Sequence, residues 1–164
     1  MPFLRGLGLP CTMLLAALLL AGCGGGGSTT TLSKADFIAQ GDAICKQAHD
    51  QYAQLQKTPP NTAPEAAALT QKLIAISDSE LSQLRDLNAP SEVKPALDRY
   101  LKAREQGIAV LRKGLQAAEN NDASGYAAAQ AQTAKGQVKR LKLAQAVGFT
   151  QCSVPAASAS PSGG

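Results

Sequence analysis

The sequence has no tryptophan, three tyrosines, three phenylalanines and a single histidine, His49. Its two methionines are Met1 and Met13. These shortages exclude several chemistries. A di-iron bundle needs two Glu-x-x-His pairs on facing helices, and one histidine cannot supply them. A histidine–methionine haem site, or a methionine-based copper carrier, has no methionine beyond residue 13 to use. No Cys-x-x-Cys-His run offers covalent haem attachment, and no nucleophile-elbow motif accompanies His49. Paired carboxylates such as Asp78/Glu80 and Asp42/Asp50 read as solvated helix faces. No catalytic residue, cofactor or metal is therefore expected, and the chain reads as a non-enzyme.

Long apolar runs are scarce too, and the one present is short. Arg5 precedes Met13-Leu14-Leu15-Ala16-Ala17-Leu18-Leu19-Leu20, the n-region and h-region pattern of a secretory signal. A span of hydrocarbon about 30 Å thick needs roughly 20 apolar residues, more than Met13 to Ala21 provide. Leu20-Ala21-Gly22-Cys23 matches the bacterial lipobox, in which the cysteine is acylated and the chain is cut before it. Residues 1–22 are thus expected to be a lipoprotein signal peptide, and residues 23–32 a lipidated flexible tether rich in glycine, serine and threonine. Two acyl chains on Cys23 anchor stably where one would be marginal. The expected location is the outer face of the cell membrane, or the outer membrane in a source that has one.

Loss of residues 1–22 removes Arg5 alone among the charges and leaves 15 basic and 12 acidic side chains. Net +3 is too mild for a nucleic-acid partner. Cys11 departs and Cys23 is acylated, so Cys45 and Cys152 remain. In an oxidising compartment they read as one intramolecular disulfide, the alternative being two free buried thiols. Closing so long a loop contributes about 4–5 kcal/mol in the chain-entropy account.

The remainder is rich in alanine, glutamine and leucine, a composition that favours helix. Ser33 with Asp36 nearly makes a capping box, and Phe37, Gly41, Cys45, Ala48, Tyr52 and Leu55 form a helical stripe. Pro59-Pro60 breaks the chain, and Thr62 can cap a second helix with stripe Leu69, Leu73, Ile76, Leu81, Leu84 and Leu87. Asn88-Ala89-Pro90 breaks it again. The third helix restarts at Ser91-Glu92, with Leu97, Leu101, Ile108, Leu111, Leu115 and Ala118 in a row that Arg104 interrupts. Asn120-Asn121-Asp122 precedes a fourth helix from about Ala123 to Val147, with Ala127, Ala131, Ala134, Val138, Leu141 and Ala144 placed inward. Gly148 suits a left-handed stop, and residues 153–164 form a low-complexity tail with nothing to bury.

Four long helices with short loops predict an all-α, antiparallel, up-down-up-down four-helix bundle over residues 33–152. A three-helix bundle with one crossing segment is the alternative. Cys152, returning from the end of the fourth helix, then comes within reach of Cys45.

Ala35-Asp36-Phe37 with Gly41-Asp42-Ala43-Ile44-Cys45, Leu84-Arg85-Asp86-Leu87-Asn88-Ala89-Pro90 and Gly148-Phe149-Thr150-Gln151-Cys152 resemble segments of a group of small, secreted, uncharacterised helical lipoproteins of actinobacteria. The resemblance implies the same disulfide-closed helical domain and brings no activity with it.

Three groups of residues merit weighing as sites. Asp42, Cys45 and His49 occupy adjacent turns of one helix face and are metal-ligand types, but Cys45 is needed for the disulfide. Arg104 either anchors a ligand inside the bundle or packs its stem and extends its head to solvent; the second is expected. Lys135, Lys139, Arg140 and Lys142 put four cations in eight residues, a possible membrane-proximal basic cluster that also complements the helix dipole. Two functions remain. The first is a non-catalytic interaction module that meets an envelope protein. The alternative is a small-ligand carrier with a cavity bordered by Gly107, Gly114, Ala127, Ala131 and Ala134. A filled core favours the first and a cavity the second.

Overall fold

The computed structural model describes residues 31–155. The expected signal peptide, the lipobox match with Cys23, most of the expected tether and most of the tail lie outside the described residues. Four helices account for nearly all of the rest: α1 Lys34–Leu55, α2 Ala63–Asp86, α3 Lys94–Glu119 and α4 Ala123–Val147. They form an all-α bundle in which each helix packs on its sequence neighbour. Among the described residues no helix is long and apolar enough to cross a membrane.

The helix ends follow local chemistry. Ser33 Oγ accepts from the Asp36 amide at 3.1 Å, and Thr62 and Glu65 satisfy each other's amides in a full capping box. Asp122 caps α4 through the Gly125 amide at 2.9 Å. Gly148 takes φ 104°, and the Phe149 and Gly148 amides donate to Ala144 and Gln145 in a Schellman stop. The expected start of α3 at Ser91-Glu92 is instead a turn, and the helix begins at Lys94.

One end of the bundle holds most of the dry core. Phe37, Leu84, Leu97, Tyr100, Ala144, Val147 and Phe149 cluster there with both bundle cysteines. The Phe37 and Phe149 rings are 5.5 Å apart, and Tyr100 meets Phe149 edge-on at 6.0 Å. The Phe149 ring lies so close to α1 that a Cβ on Gly41 would fall 2.2 Å from it. Cys45 and Cys152 form a disulfide with Cα atoms 5.1 Å apart. The carboxylate of Asp42 accepts from the Thr150 and Gln151 amides at 2.9 and 2.8 Å, and from the Thr150 hydroxyl at 2.6 Å. The segment after α4 is thereby fastened to α1.

The buried rows differ from the sequence-derived stripes in two helices. In α2 the buried positions are Ala66, Thr70, Ile74, Ser77, Glu80, Leu81 and Leu84, so Ile74 replaces Ile76 on the inner row. The correction in α4 is larger. Ala127, Ala131 and Ala134 are exposed, and Val138 is 60 % exposed. Of the six residues expected inside, Ala144 is buried and Leu141 half-buried. Alanine loses little by facing water, so an alanine row marks no inner face.

Candidate functional site

The turned α4 brings a polar row inward. Thr133, Gln137 and Arg140, with exposed Gln130 at the rim, line a cavity of about 250 Å³ between the helices. From α1 come His49, Tyr52 and Gln56, from α2 Ser77 and Glu80, and from α3 Tyr100, Arg104 and Gly107. Leu73, Ile108, Leu111 and Leu141 supply the apolar wall. The cavity lies beyond the aromatic end, with Cys152 at its border.

Glu80 is 3 % exposed and forms an ion pair with Arg104, whose side chain is 16 % exposed. Both placements correct sequence expectations, since Glu80 is no solvated carboxylate and Arg104 does not extend its head to solvent. Each charge makes the burial of the other tolerable. Burial pushes the Glu80 carboxyl above its ordinary range, and the Arg104 charge offsets this only in part. Burial disfavours the Arg104 charge, but the Glu80 carboxylate outweighs it and holds the guanidinium protonated. Cys45 Sγ lies 3.5 Å from Glu80 Oε1; a disulfide sulfur carries no proton, so this is a packing contact.

The hydroxyl groups are ordered as well. Ser77 Oγ donates to the Leu73 carbonyl at 2.8 Å, which leaves Tyr52 to donate to Ser77 across 2.7 Å. Burial raises the Tyr52 and Tyr100 phenols, keeping both neutral. His49 is half-buried, and burial followed by the Arg104 charge pushes its pKa down. Two buried polar atoms of cavity-lining residues, Gln56 Oε1 and Arg104 Nε, have no hydrogen-bond partner among the described residues.

Arg140 comes from the fourth wall. Its Nη2 donates to the Thr133 carbonyl at 3.4 Å. Burial, then the nearby Arg104 charge, lowers its pKa. The guanidinium lies between two glycines: a Cβ on Gly107 would be 3.2 Å from its Nη1, and one on Gly136 2.8 Å.

The sequence-derived candidates scatter. Lys135, Lys139 and Lys142 are exposed and share one face of α4, whereas Arg140 is turned roughly 100° or more away and lines the cavity. Asp42 binds residues 150–151, Cys45 is in the disulfide and His49 faces the cavity, so the three do not converge. Among the described residues no three His, Cys, Asp or Glu side chains gather as metal ligands. Gly107 does border the cavity, while Gly114 lies in the α3–α4 seam, where a Cβ on it would fall 3.2 Å from that of Ala129. The sequence reading missed Glu80, Tyr52, Ser77, Thr133 and Gln137. Arg104 in an apolar row was the one signal that a buried acid should face it.

No family model matches the chain, and no curated protein or solved structure matches it significantly.

Proposed function

We propose that this chain is an exported lipoprotein, acylated at Cys23, whose bundle binds a small polar molecule without transforming it. The observation that carries the reading is that Thr133, Gln137 and Arg140 turn toward a cavity, while Ala127, Ala131 and Ala134 of the same helix face water. A helix that served only to pack would bury its apolar row. Buried polar groups are costly unless satisfied, and a polar ligand satisfies them. The lipobox and the tether support placement at a membrane surface, with the lipid on Cys23 as the membrane partner.

Protein extracted from its own envelope in mild detergent and weighed intact tests the binding reading. A mass one small molecule above the acylated chain supports it, and the acylated chain alone under gentle ionisation contradicts it. Cys23→Ser tests the anchor separately: the variant should lose lipid labelling and membrane retention with the bundle still folded. Retention after export would contradict the acylation.

The outward row Ala127, Ala131, Ala134 and Val138 favours a second reading, an interaction module that meets an envelope protein along α4. Crosslinking from position 131 in the native envelope tests it. A single dominant protein adduct supports the module, and none leaves the cavity reading alone.

A further inference from the structure

We infer that Arg140 anchors an oxyanion, the carboxylate or phosphate of a small organic ligand, inside this cavity. The inference rests on the cavity being a ligand site and adds the chemical class of the ligand.

Glu80 already pairs with Arg104, and His49 has its pKa pushed down by burial. Arg140 has no carboxylate within ion-pair distance among the described residues; the four ion pairs there use other side chains. The polar centre therefore carries one positive charge more than its own acid balances. A half-buried guanidinium beside a second one is repelled and partly desolvated, and a planar oxyanion relieves both through two parallel hydrogen bonds.

The seam is also shaped for this side chain. Glycine is disfavoured inside a helix, yet Gly107 of α3 and Gly136 of α4 flank the same nitrogen. Any side chain at Gly136 would push the guanidinium from its place. On the outer side of the seam, Arg140, Gly107 and Thr133 also line a shallow groove with Lys113 and Lys139 and no acidic residue. Such a groove raises the local concentration of anions, and Arg140 stands between it and the cavity. The volume of about 250 Å³ exceeds a benzene-sized cavity of about 150 Å³ and suits roughly ten non-hydrogen atoms. Thr133, Gln137 and Tyr52 offer hydrogen bonds to the rest of such a ligand.

The test is a titration of the folded, disulfide-intact protein, following the arginine Nε–H signals by NMR, with benzoate, its neutral isostere benzamide, and glycerol 3-phosphate. The Arg140 signal is the one missing from Arg140→Gln, a variant that breaks no ion pair and should stay folded. An anion should move that signal and bind at least about tenfold tighter than benzamide, a ratio worth one charge-assisted contact. The preference should vanish in Arg140→Gln and survive in part in Arg140→Lys. Vesicles containing phosphatidylglycerol form a second arm, in which a response to vesicles but not to the soluble anions identifies a lipid headgroup as the source of the oxyanion.

Gly136→Ala separates a binding role from a structural one. It should raise the melting temperature by about 3–5 °C through helix propensity, while weakening anion binding at least about tenfold. A rise in stability with affinity unchanged overturns the inference. So does equal binding of benzoate and benzamide, which leaves the cavity reading standing. Failure of benzamide, the soluble anions and the vesicles alike removes both.

Discussion

Around Phe149 the bundle packs three aromatic rings, a disulfide and the left-handed stop of α4 into a dry core. Around Arg140 it gathers two arginines, a buried glutamate and a row of amide and hydroxyl groups. Each helix runs from one region into the other. The first region is closed by groups that gain from losing water, and the second is lined by groups that lose from it. The difference teaches where the chain concentrates its stability and where it keeps room. The fastened end can hold the bundle together while the polar part stays open to a ligand.

The largest expected effect lies at the fastened end. Cys152→Ser should cost about 4–5 kcal/mol in denaturant unfolding, the loop-closure contribution, with helix content little changed. A loss below about 1 kcal/mol would mean that the contacts of Phe149 and Asp42 hold the segment without the disulfide. Phe149→Ala should cost about 3–5 kcal/mol, because its fully buried ring meets Phe37, Tyr100 and Gly41. The comparison between regions fails if Leu141→Ala, on the cavity wall, costs as much.

A subtler effect concerns Glu80. Its folded-state pKa is raised by burial, so the folded protein holds the proton more tightly than the unfolded chain does. Stability from this group therefore falls as pH rises from the unfolded carboxylate value through the raised one, and recovers on acidification. Glu80→Gln keeps an acceptor for Arg104 and removes the titration. The variant should be at least as stable as the parent at pH 7, with the gap closing near pH 4. A parent more stable than the variant at pH 7 would show that Arg104 outweighs burial. The smallest effect belongs to the outer face of α4: Val138→Ala should change stability by no more than about 0.5 kcal/mol.

The sequence made the helix caps and the fastened end far more legible than the cavity. In α1 the stripe of Phe37, Gly41, Cys45 and Ala48 is buried as the three-and-four spacing requires. Ser33, Thr62, Asp122 and Gly148 end their helices as their side chains or lack of one dictate. Around the cavity the rule that apolar residues face inward breaks down. Thr70, Ser77 and Glu80 take inner positions on α2, and α4 carries Ala127, Ala131 and Ala134 outside with Thr133, Gln137 and Arg140 turned to the cavity. Periodicity cannot assign a face to a helix whose small apolar residues are indifferent to water. The pairing of Glu80 with Arg104 joins α2 to α3, and only their relative register reveals it. Gly107 and Gly136 were visible as helix-interior glycines, but their shared neighbour Arg140 was not.

Native-state amide hydrogen exchange tests the contrast between the two regions most directly. Amides of α1 from Phe37 to Cys45 and of α4 from Leu141 to Val147 should exchange only through global unfolding. Those from Ala127 to Gln137 should exchange through local opening of lower free energy, and a bound anion such as benzoate should slow these selectively. Uniform protection along α4, unaltered by the anion, would contradict a bundle fastened at one end and kept open for a ligand at its polar centre.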